Sequence, residues 1–209
     1  MRKIQAILFG LLFSGIFLSK AQKFPDKCIY EQSMANQGLR NIKTIEPSIL
    51  VELKYSSNDN FIGKAVYGCI SNCYLQKDAA QKLANASRYL HRKNADYNLL
   101  IYDGARPASI QKILWESLKQ YSPAKRAFFV ANPSKGSIHN YGCVVDLTIA
   151  DAKGNALDMG TKFDYFGELA YPIKENVMLK TGFTSIKYGW WHFNAVSREN
   201  GQNKYQIVL

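Results

Sequence analysis

Apolar side chains recur at three- and four-residue spacing through Leu75, Ala79, Leu83, Ala86 and Leu90, with Lys77, Lys82 and Arg88 elsewhere on the wheel. That pattern predicts an amphipathic helix over Asp78–Arg92. A second helix is expected over Ala108–Gln120, opened by Pro107 and striped by Ile110, Ile113, Leu114 and Leu118. A third is expected over Ile173–Thr181, stopped by Gly182. Period-two stretches alternate with these helices. Ile49–Tyr55 and the short apolar run Tyr97–Tyr102 read as strands, and a last strand is expected through Trp190 and His192. The cleanest alternation lies in Cys143–Ile149. Cys143, Val145, Leu147 and Ile149 share one face, and Val144, Asp146 and Thr148 share the other. Residues 121–136 and 159–164 read as loops, and Ser56–Asn60 and Asp151–Asn155 as turns. Strands and helices that do not strictly alternate predict a single α+β domain, with a mainly antiparallel sheet flanked by helices.

One apolar run has a different meaning. Ile4–Leu18 follows Arg2 and Lys3 and ends at Ser19-Lys20-Ala21, the layout of a cleavable export signal. The run is too short to span a bilayer as an anchor. The expected organisation is therefore a signal peptide over 1–21 and one domain over 22–209, exported to the periplasm or secreted, without stable membrane insertion after cleavage. Loss of the signal lowers the formal charge from +11 to +8. The lysines are scattered rather than clustered, which argues against nucleic acid as a partner and leaves an anionic polymer or plain solubility as readings of the charge. Cys28, Cys69, Cys73 and Cys143 permit up to two disulfides in an oxidising compartment, and the spacing does not fix their connectivity. Cys143 reads as a small buried hydrophobe.

The chain has three histidines. His91 ends the first helix among Arg92 and Lys93 and reads as a solvated residue. The other two are informative. His139 precedes by seven residues an aspartate, Asp146, set in an apolar strand, and a buried carboxylate is costly without a partner. With His192 this makes two imidazoles and one carboxylate, a set suited to catalytic zinc, which keeps a position open for water. The plainer reading pairs Asp146 with a basic residue and packs His192 against Trp190 and Trp191. Arg106 sits in the turn Asp103-Gly104-Ala105-Arg106-Pro107 at a strand end. There it can stabilise a developing oxyanion, or form a structural ion pair with Asp103.

Taken together, Ser137-x-His139-x-x-Gly142-x-x-x-Asp146, Trp190-Trp191-His192-Phe193, Tyr102-Asp103-Gly104-x-Arg106-Pro107 and Met159-Gly160-x-x-Phe163-Asp164 resemble, in order and spacing, the D-alanyl-D-alanine dipeptidases. These are zinc peptidases of the wider D-Ala-D-Ala carboxypeptidase and Hedgehog-like fold. The resemblance runs from about residue 45 to 195 and implies one Zn2+ per chain held by His139, Asp146 and His192. It implies Arg106 as stabiliser of the tetrahedral intermediate, Asp164 as receiver of the dipeptide's free amine, and Ser137 as a pocket-lining residue. The implied substrate is D-Ala-D-Ala, a small D,D-dipeptide, with peptidoglycan fragments as related partners.

One position departs from the pattern. Three residues before the last histidine the family carries a glutamate, the general base; here that residue is Gly189. Loss of a general base costs about 10²–10⁴-fold in rate. Lys187 and Tyr188 are poor bases at neutral pH, and Glu168, Glu175 and Glu199 would have to be brought in by the fold. Three readings follow: a dipeptidase with a displaced base or slow turnover, an impaired zinc-site protein that binds D-Ala-terminated peptides or wall fragments, and a related endo- or carboxypeptidase. The tandem tryptophans and the Met159–Asp164 loop favour a dipeptidase over the last.

Overall fold

The alternating stretch around Asp146 becomes the middle of the main sheet. The structure, a computed structural model, describes residues 28–165, 176–187 and 189–209. In chain order these form α1 (Ile29–Asn36), β1 (Arg40–Asn41), α2 (Ile42–Ile45), β2 (Leu50–Val51), β3 (Tyr74–Leu75), α3 (Lys77–Lys93), β4 (Asn98–Asp103), α4 (Ala108–Glu116), α5 (Pro123–Phe129), β5 (Val144–Ala150), α6 (Asn176–Lys180), β6 (Thr184–Ser185), β7 (His192–Asn194) and α7 (Arg198–Lys204). Short 3-10 turns cover Lys54–Ser56, Pro133–Lys135 and Ile138–Tyr141. The five-stranded sheet has the order β2-β4-β5-β7-β6, and β1 pairs with β3 separately. Only β2–β4 is parallel in the larger sheet. The α+β class and the mainly antiparallel sheet are as the pattern predicts.

One face of the sheet packs on α3. Ala79, Leu83, Ala86 and Leu90 meet Leu99, Ile101, Val145, Leu147 and Phe193 in one continuous buried cluster. Leu83 is fully buried, so truncating it to alanine would cost about 2–5 kcal/mol. The opposite face carries Leu100, Tyr102, Trp190 and Trp191 as a second cluster. Asp146 and His192, which face each other across β5 and β7, stand beside it.

Several expected boundaries shift for identifiable reasons. The strand over Ile49–Tyr55 shrinks to two paired residues because Lys54–Ser56 turns as a 3-10 helix. The helix over Ala108–Gln120 ends at Glu116, where the Ser117 hydroxyl donates to the Leu114 carbonyl (2.7 Å). Ile113 is not part of the buried stripe, which runs through Ile110, Gln111, Leu114 and Trp115 and leaves Ile113 45% exposed. The supposed loop 121–136 contains α5, signalled by Ser122 as N-cap and Pro123 at its first turn. The final strand starts at His192, with Trp190 still in the preceding turn. Of the helix expected over Ile173–Thr181, residues 173–175 lie outside the described residues, as does the expected signal peptide. His91 is half-buried and bonded to Asn98 (3.1 Å) rather than solvated. A disulfide joins Cys28 to Cys69, while Cys73 and Cys143 are free and buried. Burial pushes the Cys143 thiol up to about 12, as befits a small hydrophobe.

Candidate active site

Three neighbouring strands present one row of polar residues. Asp103 of β4 is in register with Asp146 of β5, and Asp146 with His192 of β7. A register shift between Ile101 and Asp103 turns the end of β4 so that this row forms. His139 arrives from the 3-10 turn just before β5. Ser137 caps that turn: its hydroxyl accepts from the His139 N–H, and Asn140 Oδ1 accepts from the Ser137 N–H (2.7 Å). Gly142 ends it at φ 64°, and a Cβ there would lie 2.7 Å from Leu39 Cδ2. The glycine of the sequence motif is therefore required both by backbone conformation and by space.

Asp146 Oδ2 lies 3.5 Å from His139 Nε2, and Asp146 Oδ1 lies 3.0 Å from His192 Nδ1. One ligand atom from each of the three residues falls within 4.8 Å of the other two. The far nitrogens of both rings are engaged elsewhere. His139 Nδ1–H donates to the Gly104 carbonyl (2.9 Å), and His192 Nε2 lies 3.2 Å from Asn194 Oδ1. A neutral ring that donates through its far nitrogen turns a lone pair toward Asp146, so three lone-pair donors converge. Burial, with Arg106 and His192 adding to it, pushes His139 down to about 3. The neutral imidazole is the form that ligates a metal. The donor set thus fits a divalent cation of the zinc type.

Arg106 lies in the same cavity, and each guanidinium nitrogen has a partner. Nε donates to Asp103 Oδ2 (3.0 Å), Nη2 bonds the same oxygen, and Nη1 donates to Gln111 Oε1 (2.8 Å). Its face lies over the Tyr55 ring at 5.1 Å. Asp103 also accepts from the Tyr67 hydroxyl and from the Gly104 N–H. Burial alone would lower the guanidinium, but Asp103, Tyr67, Tyr55 and Asp146 together outweigh this and hold it well above its ordinary value. Of the two readings of Arg106, the ion pair with Asp103 is the one the structure contains. The arginine also lines the cavity beside His139.

Asp164 lines the same cavity. The Tyr55 hydroxyl donates to its Oδ2 (2.9 Å). Phe163 packs between Tyr102 and Trp191 (5.2 and 5.3 Å), and the Trp190 indole donates to Thr161 (2.9 Å), which fixes the loop that carries Asp164. Burial, with Asp146 adding to it, raises the Asp164 carboxyl to about 8. Asp164 has φ 60°, the one positive value at a non-glycine among the described residues.

The cavity has a volume of about 550 Å³. It gathers every residue the sequence singled out as a ligand, oxyanion partner or pocket residue: Ser137, His139, Asp146, His192, Arg106 and Asp164. Gly189 is buried at φ 143°, in the turn closed by the His192 N–H on the Gly189 carbonyl (3.3 Å). Asp146 and Asp164 are the carboxylates that line the cavity among the described residues. Glu199 is exposed and does not line it, and Glu168 and Glu175 lie outside the described residues. Sequence reasoning missed Tyr55, Gln111, Asn194 and Arg198, which reach the site from positions without a motif.

The sequence matches the M15 peptidase family described as D-ala-D-ala dipeptidase over residues 35–207. It is 33% identical to a D-alanyl-D-alanine dipeptidase of Escherichia coli over 74% of this chain and 83% of the relative. It is 27% identical to one of Enterococcus faecalis over 69% of this chain and 85% of the relative. A solved LD-carboxypeptidase, LdcB, described in terms of peptidoglycan recognition, shares 19% identity at a TM-score of 0.41, covering 65% of this chain and 67% of its own, too loose a likeness to carry an argument. The match over most of the chain and the identity to the Escherichia coli protein make this chain a member of the M15 D-ala-D-ala dipeptidase family.

Proposed function

We propose that the protein is a zinc-dependent dipeptidase that hydrolyses D-Ala-D-Ala outside the cytoplasm, with slow turnover because Gly189 supplies no base. The observation that carries this reading is the convergence of three lone-pair donors, from His139, Asp146 and His192, beside a buried arginine in one cavity. A zinc ion held there would polarise the scissile carbonyl and acidify a water. The remaining roles belong to the chain. Asp164 receives the substrate's ammonium group, and ammonium and carboxylate each favour the other's charged form. Arg106, fixed by Asp103, Gln111 and Tyr55 before substrate arrives, donates to the oxygen on which negative charge develops. Ser137 lines the carboxylate end. Opposite charges for the two ends favour a dipeptide with both termini free over longer chains.

Gly189 supports a second reading, a protein that binds D-Ala-terminated peptides or wall fragments without turning them over. The expected export signal, although outside the described residues, agrees with a periplasmic or secreted site of action for either reading.

One experiment separates the readings. Zinc content is measured on the purified protein, followed by hydrolysis of D-Ala-D-Ala against L-Ala-L-Ala, with His139→Ala alongside and circular dichroism to verify its fold. The dipeptidase reading expects about one zinc per chain and selective release of D-Ala, both lost in the folded variant. Zinc with binding but no release supports the binding reading. A folded wild type that takes up no zinc and binds no dipeptide overturns both.

A further inference from the structure

The cavity contains two arginines among its described lining residues, and they are in opposite states. Arg106 is buried, with its charge matched by Asp103. Arg198, at the start of α7, is exposed, lines the same cavity and pairs with no carboxylate among the described residues. Its Nη2 bonds the Gly136 carbonyl, which places it beside Ser137 on the cavity lining with further donors of its planar fork to spare. Ser197 and Asn194 line the wall on the same side.

A free dipeptide is a zwitterion, and its two ends need opposite charges. Asp164 supplies the anion for the amine, but the charge of Arg106 is already answered by Asp103. We infer that Arg198 is the specificity-determining residue that receives the substrate's terminal carboxylate, through a charge-assisted hydrogen bond next to Ser137. This rests on the dipeptidase reading above. It predicts preference for a free C-terminus over a C-terminal amide, whereas a pocket that relies on Ser137 alone would distinguish the two only weakly.

The test is calorimetric binding of D-Ala-D-Ala and of its C-terminal amide to the zinc-loaded protein, for wild type, Arg198→Ala and Arg198→Lys. The expected result is a wild-type preference for the acid of about 10-fold or more, in line with a charged hydrogen bond. Arg198→Ala should remove that preference by weakening the acid while the amide changes less than about threefold, and Arg198→Lys should retain part of it. Unchanged preference in Arg198→Ala, or equal affinities in wild type, overturns the role of Arg198 and leaves the dipeptidase reading standing. A wild type that binds neither compound overturns both.

Discussion

His139, Asp146 and His192 are carried by adjacent strands and by a turn capped at both ends, whereas Asp164 and Gly189 ride on connecting segments. The first group is held in register by β5–β7 pairing and by the capping box on Ser137. The second group sits at positive φ, 60° for Asp164 and 143° for Gly189, a conformation unfavourable for most side chains. Strand pairing positions atoms by repeated backbone hydrogen bonds. A loop positions them by side-chain packing, here by Phe163 and the two tryptophans. The strand-held group therefore tolerates little change in residue type, while the loop-held group can be altered within the same fold.

The sharpest test of the sheet-held part is Asp103. Asp103→Ala would leave Arg106 buried without its counter-charge, at an expected cost of about 3–5 kcal/mol in urea denaturation. A loss below about 1 kcal/mol would mean that the arginine swings out to solvent, and that the strand end does not fix it.

Asp164 tests the loop-held part and should act in the opposite direction. Its carboxyl, raised to about 8 from the ordinary 3.8, keeps a proton in the folded, metal-free protein that the unfolded chain has already released. Stability therefore falls as pH rises through that window, and below it there is no difference because both states are protonated. Asp164→Asn should melt with the wild type near the acid end of the window. Above pH 8 it should be more stable by about 1–3 kcal/mol, the partial exposure of the site limiting the gain. Parallel melting curves at both ends would show that burial does not hold the proton.

The smallest effect is expected at Gly189. A Cβ there would lie 3.2 Å from the Trp191 ring, on a backbone that disfavours L residues. Gly189→Ala should cost about 1–2 kcal/mol. Gly189→Glu should cost at least as much and restore little rate, because the turn is shaped for glycine. A glutamate variant that gains about 10²-fold in hydrolysis at unchanged stability would break the contrast between the two parts of the site.

Legibility in the sequence follows the same division. Strand alternation places Asp146 on the face away from the apolar core, but residue types alone leave His139 and His192 between two readings, and only the resemblance in motif order joins the three. The chemistry of Arg106 was readable only as two alternatives, since its partners Gln111 and Tyr55 come from separate elements. The alternation around Tyr55 predicts a strand position, whereas Lys54–Ser56 forms a 3-10 turn. Arg198 gave no signal at all. A surface arginine near a helix start has no periodicity or motif, and its place in the cavity depends on how α7 packs against the Ile138–Tyr141 turn. Helix α5 escaped notice although Ser122-Pro123 marks its start, because its exposed Phe128 confuses the amphipathic pattern.

Tyr55 touches both parts of the site: its hydroxyl donates to Asp164 and its ring lies beneath Arg106. A single side chain that serves two neighbours makes their energies non-separable. Substitutions at Asp164 and Arg106 will not add, and the deficit measures how much of the site behaves as one unit. Removing only the hydroxyl, as in Tyr55→Phe, would uncouple the pair while keeping the aromatic floor in place.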